Sequence, residues 1–210
     1  MARKIRLTRP ELNRQRDALA RFERYLPMLK LKQQQLQMKV QEVDRRRREA
    51  HRRADGVRAR MQPYRPVMRD TAGVNVEALA KPTEVRTRQE NVAGVRIPMF
   101  ESAVFAPPDY SLFATSTWVD RALADLRELN EHLARASVLD RQSELLRRAL
   151  VKIIQRVNLF EKVLIPRARE TIRVIRIHLG EEQTAAVARA KRAKAKILER
   201  ESFSAPEAVS

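Results

Sequence analysis

The stretch that determines the fold runs from Leu12 to Met61 and reads LNRQRDALARFERYLPMLKLKQQQLQMKVQEVDRRRREAHRRADGVRARM. Its apolar side chains recur at spacings of three, four or seven residues and are Leu12, Leu19, Phe22, Leu26, Leu29, Leu36, Val40, Val43, Ala50, Ala54, Val57 and Met61. A seven-residue apolar repeat on an α-helix is typical of a coiled-coil seam, because the narrow stripe must follow a second helix. We therefore expect a long N-terminal helix that pairs with another long helix.

The C-terminal part of the chain contains a suitable partner helix. Apolar residues at spacings of four and three recur there as Leu146, Leu150, Ile153, Val157, Phe160 and Leu164, and an earlier stripe in a shifted frame begins at Trp118. The simplest arrangement is an antiparallel coiled coil formed by the two ends of one chain. The candidate seam residues are these six together with Leu12, Leu19, Phe22, Leu29, Leu36 and Val43.

The frame of this seam leads to two further expectations. Thr171 and His178 fall on positions that continue the C-terminal stripe, where a polar residue would set the register. If the chain folds back near residues 62 and 117, Leu36 should lie opposite residues 139–147.

The turn residues concentrate in the middle of the chain, as Gly73, Pro82, Gly94, Pro98, Pro107 and Pro108. Residues 84–92 and 95–105 alternate between apolar and polar side chains around Ala93 and Gly94, which predicts a β-hairpin. We therefore predict a mainly α fold, in which a long antiparallel coiled coil of the N- and C-terminal helices has a small central head that contains a β-hairpin.

The expected organisation has four parts. Residues 1–62 form the N-terminal arm, and residues 63–117 form the head with its hairpin near 84–105. Residues 118–200 form the C-terminal arm, and residues 201–210 form a flexible tail.

Composition favours an elongated protein. Charged residues make up 33% of the chain and aromatic residues only 5%, so few bulky side chains are available for a thick core. The absence of cysteine excludes disulfides and thiolate metal sites. The residues that follow Met1 do not include the apolar run expected of a signal peptide. In addition, no segment approaches the roughly 18 to 20 uncharged residues that a membrane span needs. We expect a cytoplasmic protein that is peripheral to a larger structure.

The net charge of +18 is concentrated on the two arms. Residues 1–62 carry 19 basic and 7 acidic side chains, residues 63–117 carry 6 of each, and residues 118–210 carry 19 and 13. The arms therefore contribute the whole excess, and the head is neutral. A basic elongated surface indicates an acidic partner, either nucleic acid or an acidic protein.

The sequence lacks the patterns of a catalytic site. His51, His132 and His178 have no histidine or carboxylate placed as a paired ligand, and Gly94 is followed by Val95 and Arg96 instead of a phosphate-binding Gly-Lys-Ser/Thr string. We therefore predict no catalytic residue, no metal site and no cofactor in this chain.

Four groups of residues, in order along the chain, resemble the D subunit of the V-type and archaeal A-type rotary ATPases. They are Leu7-Thr-Arg-Pro-Glu-Leu-Asn13; Leu29-Lys-Leu-Lys32 with Gln33 to Leu36; Asn91-Val-Ala-Gly-Val-Arg-Ile-Pro98; and Arg156-Val-Asn-Leu-Phe-Glu161 followed by Ile165-Pro166 and Thr171-Ile172. The resemblance covers most of the chain and agrees with the helix, hairpin and helix layout expected from the pattern.

The resemblance implies a non-catalytic central-stalk subunit, the rotor axle of a V/A-type ATPase or ATP synthase. In that family the coiled coil lies inside the hexamer of catalytic and regulatory subunits, the F subunit binds its side, and the head end meets a funnel-shaped subunit above the membrane ring. The expected role is to couple ATP hydrolysis or synthesis to ion transport. No direct membrane insertion and no specific nucleic acid are implied.

Two other functions remain open from the residues alone. The calculated pI of 11.2 and the run Lys191-Arg-Ala-Lys-Ala-Lys196 would suit a basic coiled-coil protein that binds nucleic acid, although few aromatic residues are available for stacking on bases. A stalk protein of a type III secretion ATPase is likewise a two-helix rod, but it would not need a neutral head with a hairpin.

Overall fold

The structure, a computed structural model, describes residues 6–69, 73–108, 110 and 115–204. Its elements in chain order are helix α1 (Arg9–Met61), 3-10 turns at Gln62–Tyr64 and Val67–Arg69, helix α2 (Val76–Leu79), strands β1 (Pro82–Val92) and β2 (Val95–Phe105), helix α3 (Trp118–Leu159), a π-helical turn (Phe160–Leu164) and helix α4 (Ile165–Ser204). The predicted fold class is therefore confirmed. Of the predicted tail, residues 205–210 lie outside the described residues.

The chain divides into two compact units. The first unit consists of residues 1–29 and 156–210, and the second unit consists of residues 30–155. Each unit contains its own antiparallel pairing of an N-terminal with a C-terminal helical segment.

In the first unit, large apolar side chains join the helices. Leu12, Ile172 and Ile175 form a buried cluster, against which Leu19 and other partly buried side chains pack. Elsewhere in the unit Phe22 packs edge-to-face on Phe160, with ring centroids 5.4 Å apart and an interplanar angle of 79°.

A π-helical turn changes the helix frame in the first unit. The Ile165 N–H donates to the Phe160 carbonyl, five residues earlier, instead of to the usual fourth. Pro166 explains the turn, because it has no N–H to donate and its ring would clash with the carbonyl of residue 162 in a regular helix. The turn therefore holds one residue more than an α-helical turn would.

This extra residue moves every later seam position by one. The buried residues after the turn include Ile165, Ala168, Ile172 and Ile175, in a frame one residue beyond that of Leu164. The expectation that His178 lies on the seam is wrong, since its side chain is exposed. Thr171 is buried beside the shifted seam.

In the second unit the buried seam combines small residues with larger aliphatic ones. From α1 these are Leu36, Val43, Ala50, Ala54, Val57 and Met61, and from α3 they include Ala122, Leu123, Ala136, Leu139, Leu146 and Ile153. Near the start of α3, Val119, Ala122 and Leu123 form a cluster with Val76 and Ala80 from the α2 region. The short helix α2 is thereby packed against α3.

The β-hairpin belongs to the second unit and follows the predicted strands closely. Val92 pairs with Val95 across a two-residue turn in which Ala93 has φ 51° and Gly94 has φ 83°. Positive φ at both positions is typical of a type I′ turn, whose twist matches that of the two strands. Ile97 of β2 is fully buried, whereas β1 is exposed along most of its length.

Candidate helix-pairing and interaction surfaces

The structure places none of the twelve candidate seam residues at a fully exposed position. Those that are buried are Leu12, Leu36, Val43, Leu146, Ile153 and Val157. Those that are half-buried are Leu19, Phe22, Leu29, Leu150, Phe160 and Leu164. The candidate residues of each unit thus occupy its protected positions, and Ile165, Ala168, Ile172 and Ile175 extend the set in the first unit.

In the second unit, polar contacts between α1 and α3 determine which residues of the two helices lie opposite each other, that is, at the same level. The carboxylate of Asp44 accepts from Ser143 Oγ at 2.8 Å and from the Arg147 guanidinium at 2.5 Å. Burial opposes ionisation, but these hydrogen bonds outweigh it and hold the pKa of Asp44 below its ordinary value. One helical turn further along α1, Arg47 pairs with Asp140 at 3.4 Å.

These contacts correct the expected register. Leu36 lies eight residues before Asp44, so at equal rise per residue it is opposite about residues 151–155 and not 139–147. The difference arises at the head, where Arg60 near the end of α1 pairs with Asp125 and Glu128, well inside α3.

A polar cluster surrounds Asp125, which is only 9% exposed. Its carboxylate accepts hydrogen bonds from the Tyr64 hydroxyl and from Arg60, and Arg60 also pairs with Glu128. Burial, together with the hydrogen bond and the charge of Asp125, raises the pKa of the Tyr64 hydroxyl to about 12. The tyrosine therefore remains a neutral donor at physiological pH, and the cluster ties the end of α1 to α3.

Side chains of α3 contact strand β2 of the hairpin. The Arg127 guanidinium lies 5.5 Å from the Phe105 ring centroid, and that of Arg135 lies 4.9 Å from the Phe100 ring centroid. The Gln142 side-chain amide donates to the Pro98 carbonyl at 2.5 Å. Sequence reasoning missed these residues, because polar side chains that face a hairpin have the same spacing as solvated ones.

Gly94 brings the hairpin tip close to α1. A Cβ added at Gly94 would lie 3.0 Å from Lys32 Nζ, which is too close unless the lysine moves. The positive φ therefore favours glycine here, whereas the end of the flexible Lys32 side chain could move away from a Cβ.

An exposed basic surface lies on α4. Residues 181–200 are all exposed and include Arg189, Lys191, Arg192, Lys194, Lys196 and Arg200. A single exposed helix of this length is unusual unless another chain covers it, because isolated helices are marginal in water. The described ranges contain no cluster of three potential metal ligands among His, Cys, Asp and Glu, and no helix that is long and apolar enough to cross a bilayer.

Comparisons with known proteins agree over nearly the whole chain. Residues 11–195 match the family described as the D subunit of ATP synthase. The D subunit of the V-type ATP synthase of Borreliella burgdorferi is 34% identical over 201 residues, which cover 94% of this chain and 96% of that protein. Those of Chlamydia trachomatis serovar L2 and Chlamydia caviae are 33% and 31% identical, cover 94% and 95% of this chain, and are themselves covered over 98% and 97%.

Proposed function

Because this chain belongs to the family of ATP synthase D subunits, we propose that it is the non-catalytic central-stalk subunit, or rotor axle, of a V/A-type rotary ATPase or ATP synthase. It couples ATP hydrolysis or synthesis in a catalytic hexamer to ion transport through a membrane ring. The antiparallel coiled coil of its N- and C-terminal helices is the observation that carries the proposal, since a paired helix resists torsion better than a single one.

The exposed end of α4 supports the proposal that another protein surrounds this helix. Residues 181–200 are all exposed, and their cations point in several directions around the helix. Weakly specific contacts of this kind suit an axle that must turn inside a sleeve without binding one face deeply. We propose that the catalytic and regulatory subunits form this sleeve.

The remaining assignments follow the same proposal. Residues 1–62 and 118–200 are the two arms of the axle, and residues 63–117 are a head that faces the funnel-shaped subunit above the membrane ring. The F subunit binds the side of the coiled coil. The protein is cytoplasmic and peripheral to the membrane, and it contributes neither a catalytic residue nor a cofactor site.

Reversible cross-linking of the axle to the hexamer tests this function. The chain has no native cysteine, so a single cysteine at the exposed position Ala193 can be paired with one introduced on the inner wall of a hexamer subunit. Oxidation of the assembled complex should stop sustained ATP turnover, and reduction should restore it. The isolated chain should hydrolyse no ATP.

A matched control places the cysteine at Thr87, which is exposed on β1 of the hairpin. Oxidation of this complex, with the same hexamer cysteine present, should leave turnover unchanged. Full turnover in a complex that is quantitatively cross-linked through Ala193→Cys would exclude the axle role while leaving family membership intact.

A further inference from the structure

A groove in the second unit lies where α1, β2 and α3 meet. Its volume is about 250 Å³. The apolar part of its lining includes Met99 and Phe100 from β2 and Leu139 from α3, and its basic part consists of Arg46, Arg53 and Arg135. We call it the arginine groove and define it by these six residues.

The three guanidinium groups remain available to a ligand. Each has a carboxylate neighbour within its own helix: Arg46 pairs with Glu42 at 2.5 Å, Arg53 with Glu49 at 2.6 Å and Arg135 with Glu131 at 3.4 Å. The arginine side chains are nevertheless 38% to 54% exposed. Such solvent-exposed pairs are weak, so an incoming carboxylate can compete for the arginines.

The surrounding charge also favours an acidic ligand. Residues 45–60 of α1 contain eight arginines and only two acidic residues, Glu49 and Asp55. Long-range attraction therefore brings anions towards the groove, and the three arginines outnumber its one acidic lining residue, Glu49.

The shape and the apolar lining favour a peptide over a nucleic acid. Arg46 and Arg53 are two helical turns apart, or about 10.5 Å, a distance that three to four residues of an extended peptide can span. One face of the Phe100 ring is already covered by Arg135, so that face cannot stack on a base. Met99 and Leu139 instead offer contact to an apolar side chain.

We propose that the arginine groove binds an acidic segment of a partner subunit that carries an apolar side chain between its carboxylates. The inference rests on the proposed function, because the partner is taken to be another subunit of the same complex. A segment seated there contacts α1, α3 and β2 at once. It therefore holds the hairpin against the two helices. The position of the hairpin then depends on assembly of the complex.

Site-specific photo-cross-linking in the assembled, purified complex tests the proposal. A benzophenone amino acid replaces Glu49 in the groove, and in a control chain it replaces Asp55, which is exposed on α1 and does not line the groove. Mass spectrometry should identify one partner peptide linked to position 49, with Asp and Glu in excess over Lys and Arg and with an apolar residue among them. Position 55 should not label this peptide.

Charge reversal provides the matched comparison. The pair Arg46→Glu and Arg53→Glu should reduce the yield at position 49 about tenfold, and the milder pair Arg46→Gln and Arg53→Gln about threefold. The control pair Arg45→Glu and Arg52→Glu changes the same charge on the same helix, with the same spacing, one residue away from the groove. It should reduce the yield by less than about twofold.

Several outcomes would overturn the inference. They are the absence of a cross-link from position 49, a linked segment that is basic or neutral, a linked nucleic acid, and an equal loss of yield in the groove and control pairs. Co-purification of the unmodified chain with the ATPase subunits is measured first. Its failure would refute the proposed function, whereas success followed by any of these outcomes refutes the groove assignment alone.

Discussion

Both units join their helices by apolar packing and by polar contacts, but in different proportions: the first unit has one exposed ion pair between its helices among the described contacts, Glu23 with Arg169 at 2.7 Å. In the first, Phe22 packs on Phe160, and Leu12 belongs to a cluster with Ile172 and Ile175. In the second, small seam residues such as Ala50 and Ala54 are flanked by polar contacts, among them those of Asp44 with Ser143 and Arg147. Apolar packing supplies most of the burial energy, whereas a polar contact between helices specifies which residues lie at the same level.

The largest effect is expected where the second unit depends on burial. Leu36 is fully buried, so Leu36→Asp removes a packed side chain and places a carboxylate in a dry interface. Loss of the leucine alone costs about 2 to 5 kcal/mol, and the unpaired charge adds to this cost. Thermal melts followed by circular dichroism should show a large fall in Tm.

The neighbouring residue provides the control for this prediction. Gln37 is exposed, so Gln37→Asp should change the free energy of unfolding by less than about 0.5 kcal/mol. Equal melting temperatures for the two variants would mean that the α1 repeat does not form the seam of the second unit.

The next effect tests the shifted frame of the first unit. Ile175 is fully buried, and Ile175→Ala should destabilise the protein by about 2 to 4 kcal/mol through loss of packing and formation of a cavity. His178, on the unshifted frame, is exposed, and His178→Ala should cost less than about 0.5 kcal/mol. Urea unfolding measures both values. A larger loss for His178→Ala would show that the π-helical turn does not reset the seam.

The sequence predicted those features that depend on local patterns. The heptad spacing indicated both long helices, and Ala93-Gly94 between alternating strands indicated the hairpin, whose observed strands begin at Pro82 and end at Phe105. The frame after Leu164 was not predicted, because Pro166 in a helix can produce a kink, a break or a π-helical turn. The apolar residues after the π-helical turn, which are Ile165, Ala168, Ile172 and Ile175, do have the shifted spacing. The sequence therefore contained a signal of the changed frame.

The polar contacts and the groove could not be predicted in the same way. Asp44 and Arg147 are far apart in sequence, and their pairing depends on the level at which the helices meet. That level is set by the packing of the head, which no local pattern encodes. The arginine groove likewise needs three elements from separate parts of the chain, and its arginines alone resemble any solvated basic helix face.

The smallest expected effect isolates one polar contact of the second unit. Asp44→Asn keeps the shape of the side chain and can still accept from Ser143, but it removes the charge that faces Arg147. The Asp44 side chain is 17% exposed, so we expect a loss of about 1 to 2 kcal/mol at pH 7. Asp55→Asn, at an exposed position paired with Arg58 of the same helix, should change stability by less than about 0.5 kcal/mol.

The pH dependence of this difference identifies its cause. The folded pKa of Asp44 is lower than its unfolded value of about 3.9, so ionisation stabilises the fold above that value, and this contribution is lost as the pH falls through the folded pKa. The stability difference between wild type and Asp44→Asn should therefore be constant from about pH 7 to pH 5 and shrink in more acidic solution. Urea unfolding at a series of pH values measures it. A difference that persists unchanged at acidic pH would assign the effect to packing around residue 44 and not to its charge, and the charge of Asp44 would then not distinguish the second unit from the first.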